Sequence, residues 1–178
     1  MAKRRFDQLT GGTRDVNMQY TSIDLTESAA NTFTQGTITL PVLRGNVGRG
    51  KYQVIELLKV VFAISGGAGA TGDGRNVQLS TTSKTTMVTT TQADPDIVCF
   101  WNDGIIITTS GLYVATNPIE FNFTDGAGHG IIIATDQMFF AVQGVSQTGA
   151  LTSSCRLFYR FKNISVDEFV GLAIQQNG

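Results

Sequence analysis

The stretch "SCRLFYRFKNI", residues 154–164, has the most regular alternation of side chains in the sequence. Every second position, from Cys155 to Phe161, is apolar or aromatic. The positions between them carry a different set: Arg156, Phe158, Arg160 and Lys162. Side chains alternate between the two faces of a β-strand, so this period of two predicts a strand with one face in a core and one basic face outside.

The segments on either side extend this interpretation to the whole chain. They are short, rich in β-branched or aromatic residues, and end at Gly, Pro, Asn or Asp. Further predicted strands include "FTQGTITLPVL" (33–43), "YQVIELLKVVFAIS" (52–65), "NVQLSTT" (76–82), "KTTMVTTT" (84–91), "DIVCFW" (96–101) and "QMFFAVQG" (137–144). About eight to ten strands without intervening helices predict an all-β fold, an antiparallel sandwich or barrel.

Three local features sharpen this prediction. In residues 52–65, the even-numbered positions from Val54 to Phe62 would share one face of a single regular strand. Asn102, Asp103 and Gly104 would form the turn of a hairpin, because Asn-Gly and Asp-Gly sequences favour such turns. The segment "VDEFVGLAIQQ" (166–176) would be the last strand, after one helical turn at its start.

Composition limits the function. The chain has 178 residues, enough for one domain, and 42% of them are hydrophobic. Only 15% are charged, which is low for a protein that keeps its whole surface in water and favours coverage by neighbouring subunits. The sequence contains no apolar run long enough for a membrane span. Its two cysteines, Cys99 and Cys155, are expected to be buried free thiols.

Signals for enzyme chemistry are weak. Gly45, Gly50 and Lys51 match the start of a phosphate-binding loop, but Tyr52 stands where a magnesium-binding Ser or Thr is needed. The single histidine, His129, lies in a glycine-rich loop without a nucleophile motif nearby. We therefore expect no enzymatic activity and no cofactor.

A metal site is also not expected, although one alternative stays open. Asp94, Asp96 and Asp103 are close enough in sequence to supply oxygen ligands to Ca²⁺. Aspartates beside Pro95 and Gly104 are more commonly turn-forming residues.

Basic residues suggest a nucleic-acid partner. Lys3, Arg4 and Arg5 form a cluster near the N-terminus, and Arg14 follows soon after. On the predicted strand, Arg156, Arg160 and Lys162 surround an aromatic ring and could follow a phosphate backbone while the ring stacks on a base. An ordinary solvated sheet face is the equal alternative for this strand.

The two ends of the chain carry a family resemblance. "MAKRRFDQLTGGTRDVN" (1–17) and "RLFYRFKNISVDEFVGLAIQQ" (156–176) are similar to single jelly-roll capsid proteins of small non-enveloped viruses, most of all those of circular single-stranded DNA viruses that encode a replication initiator. The resemblance implies an eight-stranded antiparallel jelly-roll sandwich with long loops. It also implies a short flexible basic arm at residues 1–17, before a single domain at 18–178.

The function implied by the resemblance is structural. Copies of the chain would assemble inside the host cell into an icosahedral shell, the virion, that encloses viral nucleic acid without sequence specificity and meets a host receptor, but no membrane. Lys3, Arg4 and Arg5 correspond to the family's basic arm, with Arg14 as its continuation. That arm usually has many more arginines. The shell would therefore rely on inner-surface residues such as Arg156, Arg160 and Lys162, on counterions, or on no ordered genome at all.

Two other jelly-roll functions stay open. "TTSGLYVATNPIEFNF" (108–123) is similar to a strand of trimeric modules of the tumour-necrosis-factor or complement-head type. A lectin-like sandwich could use Trp101, Asn102 and Asp103 to contact a sugar. Both would make the chain a ligand-binding or glycan-binding module.

Overall fold

The computed structural model describes residues 18–41, 51–65, 73–88, 94–104 and 118–177. These residues form two β-sheets and one helix. The larger sheet contains β1 (Gln19–Thr26), β3 (Lys51–Ser65), β6 (Ile119–Asn122), β7 (Ile131–Ile133) and β9 (Thr152–Ser165). The smaller sheet contains β2 (Thr34–Thr39), β4 (Gly74–Ser80), β5 (Ile97–Gly104) and β8 (Gln137–Val145). The helix, α1 (Val166–Asn177), follows β9 directly.

The strand order identifies the architecture. The larger sheet has the order β1-β9-β3-β6, the smaller one β2-β8-β4-β5, and all these pairs are antiparallel. Strand β7 also pairs with β3, next to β6, so β6 and β7 together occupy one strand position. Four positions in each of two facing sheets, with the chain crossing repeatedly between them, make a jelly roll. The predicted fold class is confirmed.

The core lies between the sheets. Cys155, Leu157 and Tyr159 of β9 are buried there, on the face that the alternating sequence predicts. The rings of Phe62 on β3 and Phe140 on β8 meet across the interface, with centroids 5.6 Å apart. Both cysteines are buried and unpaired, as expected. No helix of the described residues is long and apolar enough to cross a membrane.

Strand β3 contains a β-bulge between Leu57 and Lys59. Before the bulge, odd-numbered residues such as Ile55 face the core, whereas Val60 and Phe62 face it afterwards. The prediction of one unbroken alternation is therefore wrong, because an extra residue in a strand shifts every later side chain to the opposite face.

A loop leaves the sheet opposite this bulge. Lys59 pairs with Asn122 and Leu57 with Ile131, so residues 123–130 stand across from a single residue of β3, Leu58. The amide of Phe123 donates to the Leu58 carbonyl at 2.9 Å, which anchors the start of the loop. At its end, Gly130 lies so close to β3 that a Cβ there would be 2.1 Å from the Leu57 carbonyl oxygen.

The C-terminal segment is a helix, so the predicted last strand is wrong. Its first turn is capped by Ser165, whose Oγ accepts a hydrogen bond from the Glu168 amide at 3.2 Å. Ser165 and Glu168 have the spacing of a capping box, a helix signal that the sequence contains. The Phe169 ring stacks on Tyr52 with centroids 4.5 Å apart, which holds the helix against β3.

Two further sequence predictions differ from the structure. Asn102, Asp103 and Gly104 continue strand β5 and pair with β4, instead of turning into a hairpin. In the predicted strand 84–91, residues 84–88 form no strand, and the rest lie outside the described residues. Here tertiary pairing decides over the local turn preference of Asn and Gly.

Gly130→Ala tests the close approach of the loop to β3. The added methyl group would collide with backbone, so we expect unfolding free energy to fall by about 3 kcal/mol in urea titrations. Gly126→Ala is the matched control, because a Cβ at this position of the same loop meets nothing within 4 Å. Equal stability of the two variants would contradict the proposed contact.

Candidate nucleic-acid interface

The outer face of the larger sheet is basic and aromatic. The register places Arg156, Phe158, Arg160 and Lys162 of β9 beside residues of β1 and β3 that point the same way. We call this surface the basic face; its members are Tyr20, Glu56, Lys59, Arg156, Phe158, Arg160 and Lys162. The structure therefore brings together the three cations that the sequence predicts for β9.

One half of the basic face combines rings with cations. Phe158 lies between Tyr20 on β1 and Lys59 on β3. The Tyr20 and Phe158 rings are 6.3 Å apart, the Arg156 guanidinium lies 5.3 Å from the Tyr20 ring, and Lys59 Nζ lies 5.2 Å from the Phe158 ring. Tyr20 is 64% exposed, so its ring can be approached from solvent. Such an arrangement offers stacking surface and positive charge together.

The charge of Lys59 and Arg156 is balanced differently. Lys59 Nζ donates to Glu120 Oε2 at 3.1 Å, at a site open to solvent. Arg156 is exposed, and no acidic side chain of the described residues forms an ion pair with it. Arg156 is therefore the cation of this half that has most charge available for a phosphate.

The other half is organised by a buried carboxylate. Only 2% of the Glu56 side chain is exposed, and Arg160 Nε donates a short hydrogen bond to Glu56 Oε2. The Gly130 amide donates to Oε1 at 3.2 Å, Lys162 Nζ lies 3.7 Å from Oε1, and His129 Nδ1 lies 3.5 Å from it. This carboxylate links β3 to β9 and to the 123–130 loop.

The surroundings of Glu56 also decide its protonation. Burial raises the pKa of the carboxyl, but the hydrogen bonds from Arg160 and Gly130 and the charges of Arg160 and Lys162 together lower it more. The net pKa is below its ordinary value of 4.5, so the group is an anion at neutral pH. Glu56 therefore compensates part of the positive charge of Arg160 and Lys162.

Arg160 also contacts the 123–130 loop. Its Nη2 donates to the Gly128 carbonyl at 3.1 Å and lies 3.4 Å from His129 Nδ1. His129 thus contacts the Glu56 and Arg160 pair, although 58% of its side chain is exposed. Arg160 supports the structure as well as adding positive charge to the face.

Tyr20 and Lys59 belong to this face, although the sequence pattern does not predict it. Tyr20 lies in an alternating segment, "QYTSIDLT", that indicates a strand, and Lys59 lies in the predicted strand 52–65. Their places opposite Phe158 depend on the register with β9, which no local pattern contains. The predicted Lys3, Arg4, Arg5 and Arg14 lie outside the described residues.

The aspartates near Pro95 do not form an open metal site. Lys84 Nζ lies 2.9 Å from a carboxylate oxygen of both Asp94 and Asp96, and Thr82 donates to Asp96 at 2.6 Å. The hydrogen bonds from Thr82 and Lys84 and the charge of Lys84 lower the Asp96 pKa more than burial raises it. Within the described ranges, no group of three or more His, Cys, Asp or Glu side chains is arranged to hold a metal ion.

The cysteines offer no reactive thiol. Burial raises the pKa of the Cys99 thiol, with a smaller contribution from the charge of Cys155. Burial alone raises the pKa of Cys155. Both groups are therefore protonated and inert at neutral pH.

Trp101, in the segment that could contact a sugar, contributes to the packing of the core. The Trp101 side chain is half-buried and packs against the core, and Asn102 is exposed. Trp101 therefore offers only part of its ring to a ligand, which weakens the lectin alternative at this site.

Comparisons with known proteins agree with the fold. No family model matches the sequence, and no curated protein matches it. The crystal structure of the Merkel cell polyomavirus virus-like particle aligns with 93% of this chain and 80% of that chain, at 10% identity and a TM-score of 0.50. VP1 of Trichodysplasia spinulosa-associated polyomavirus aligns with 86% of this chain and 97% of that chain, at 10% identity and a TM-score of 0.50.

A second structure of that VP1, in complex with GM1 oligosaccharide, covers 86% of this chain and 96% of that chain, at 8% identity and a TM-score of 0.50. At these identities the likeness shows a shared fold alone, the jelly roll.

Arg160→Ala tests the ion pair beneath the basic face. Removing the guanidinium leaves the Glu56 anion buried without its main partner, so we expect the free energy of unfolding to fall by about 3 kcal/mol. Arg156→Ala removes a charge of the same sign from an exposed position of the same strand. It should lower the free energy of unfolding by less than about 1 kcal/mol. Urea unfolding followed by fluorescence of Trp101 measures both; equal losses would contradict the special role of Arg160.

Proposed function

We propose that this chain is a structural capsid protein whose copies assemble into a closed icosahedral shell around a small viral genome. The observation that carries the proposal is the strand order, β1-β9-β3-β6 facing β2-β8-β4-β5. It is the fold that aligns with the virus-like particle over 93% of this chain. On this proposal the protein is assembled in the host cell and is a component of the virion.

Exposed apolar side chains support self-association. Met18 is 62% exposed, Val145 45% and Ile174 69%, at separate places on the domain. A chain with only 15% charged residues leaves such surfaces with little electrostatic repulsion between copies. In a closed shell, each contact can be weak, because every subunit makes several of them at once.

The basic face is the proposed contact for nucleic acid. Its phosphate-binding cations are Arg156 and Lys59, and the rings of Tyr20 and Phe158 supply stacking surface for unpaired bases. Arg160 and Lys162 add positive charge, although Glu56 compensates part of it. Such contacts do not depend on base sequence.

The N-terminal residues complete this contact. On this proposal, Lys3, Arg4, Arg5 and Arg14 of the arm at residues 1–17 add positive charge to the genome contact, and residues 18–178 form the shell domain. The genome is single-stranded DNA, as the resemblance of the chain ends implies. The exposed Tyr20 ring supports a single-stranded partner, because bases within a duplex are already stacked on one another.

A glycan receptor is a second and compatible part of the proposal. The VP1 neighbour was solved in complex with GM1 oligosaccharide, and it shares the fold of this chain. The outer surface of the shell would then contact host glycans, while the basic face would line the interior of the shell.

Electron microscopy of the purified full-length chain tests the shell. We expect closed particles of uniform size, together with elution ahead of a monomer in size-exclusion chromatography. A strict monomer across a range of salt and pH would contradict the proposal. A stable trimer without larger assemblies would instead support the ligand-binding or glycan-binding module.

Binding of oligo-deoxythymidine to the unassembled chain tests the basic face. Arg156→Ala should reduce the slope of log K against log salt by about 0.7, because one phosphate contact is lost. Tyr20→Leu should weaken binding by about tenfold, because one base loses its stacking partner. Fluorescence anisotropy at several salt concentrations measures both effects.

Two variants serve as controls for this experiment. Glu120→Gln frees Lys59 from its ion pair and should strengthen binding, since Glu120 is exposed and its loss leaves the fold intact. Tyr52→Leu removes a tyrosine whose ring is already stacked on Phe169, and binding should not change. An unchanged salt slope in Arg156→Ala would show that DNA binds elsewhere.

A further inference from the structure

Helix α1 has two apolar sides, and the described residues cover only one of them. On the covered side, Phe169 stacks on Tyr52, and Gln176 bonds to strand β7 and to the residue after it. Its Nε2 donates to the Ile132 carbonyl at 2.6 Å, and its Oε1 accepts from the Ala134 amide at 2.8 Å. These contacts fix which side of the helix faces outward.

The outward side carries an apolar ridge. Val166, Val170 and Ile174 follow one another at intervals of four residues, which places them in one row along the helix. They are 37%, 48% and 69% exposed. A helix that is apolar on both sides is normally covered on both, so this ridge indicates a missing contact.

Gly171 lies beside the ridge, and no contact with the described residues explains why a glycine stands there. A Cβ at this position would meet nothing within 4 Å, so no neighbour requires the glycine. A glycine inside a helix costs about 1 kcal/mol relative to alanine. The absent side chain leaves a shallow groove next to Val170, where the backbone of another helix can approach closely.

Charge limits what can cover the ridge. The charged side chains of α1 are Asp167 and Glu168, both in the first turn, and the last turn has no basic residue. Acidic residues at the edge of the ridge oppose a nucleic-acid backbone and an anionic lipid surface. A protein surface is the occupant that fits.

The ridge and the groove complement each other. Ridges of residues four apart fit into the corresponding grooves of a second helix, and here one surface supplies both parts. A contact of this kind is symmetric and closes around a twofold axis. An antiparallel arrangement also keeps the acidic first turns at opposite ends of the contact, away from each other.

We propose that α1 packs against α1 of a second copy of this chain, across a twofold axis close to Gly171. The inference rests on the proposed shell function, of which it would be one contact. Three apolar side chains per copy are far fewer than an interface of about 800 Å² per partner requires. The contact is therefore weak in isolation and is strengthened by the other contacts of the same shell.

Cross-linking of Gly171→Cys tests the twofold contact. The new side chain enters open space, so the fold is kept, and the two native thiols are buried and inert. A residue near the axis meets its own copy, so we expect a short bismaleimide linker to give covalent dimers. Gly126→Cys is the matched control, an exposed glycine that also has open space around it; its dimer yield should be about tenfold lower because it lacks the raised effective concentration.

Val170→Asp, added to Gly171→Cys, should remove at least about nine-tenths of the cross-linked dimer, because a charge would be buried in the contact. Gly149→Asp is its control, because it adds the same charge where a side chain has open space, in the loop before β9 and at the opposite end of that strand from α1. Equal cross-linking of Gly171→Cys and Gly126→Cys overturns the inference, even if the wild-type chain forms shells. Cross-linking at Gly171 in a chain that forms no shell supports the twofold contact and contradicts the shell function.

Discussion

A buried charge must be balanced within the protein, and Glu56 imposes this requirement on the larger sheet. Its carboxylate lies where β3, β9 and the 123–130 loop meet, and Arg160, Lys162 and the Gly130 amide surround it. The bulge after Leu57 reverses which side chains of β3 face the core. Odd-numbered residues face it before the bulge, and even-numbered residues from Val60 onward face it afterwards. One anion thereby connects the strand that changes face, the strand beside it and the loop that interrupts the edge strand.

The same anion divides the basic face into two parts with different tasks. Arg160 forms an ion pair with Glu56 and a hydrogen bond with the loop, so its removal mainly lowers the stability of the fold. Arg156 lies beside the exposed Tyr20 ring without an ion pair to the described residues, and Lys59 lies beside the Phe158 ring with an ion pair to exposed Glu120. A count of positive residues along β9 would treat these cations alike, whereas their partners make them unequal.

Helix α1 relates the fold to assembly in a similar way. Its inner side contacts Tyr52, Ile132 and Ala134, and its outer side carries apolar residues that are between 37% and 69% exposed. A stable monomer gains nothing from exposing such a ridge, and a mid-helix glycine lowers helix stability as well. Both features are explained if the surface is completed by a neighbouring copy, because the favourable burial then occurs only in the assembly.

The sequence alone determined the all-β class, the two faces of β9 and the buried free thiols, because side-chain alternation and composition are local properties. It also contained the Ser165 and Glu168 capping signal for α1, although the apolar run that follows suggested a strand. Only the tertiary structure decided the bulge in β3, the course of residues 102–104 along β4, and the neighbours of Phe158. These depend on register between strands distant in sequence, and a shift of one residue would exchange every inward and outward side chain. Register also decides which cations of the basic face are paired with an anion, since Glu56, the partner of Arg160, lies 104 residues away along the chain.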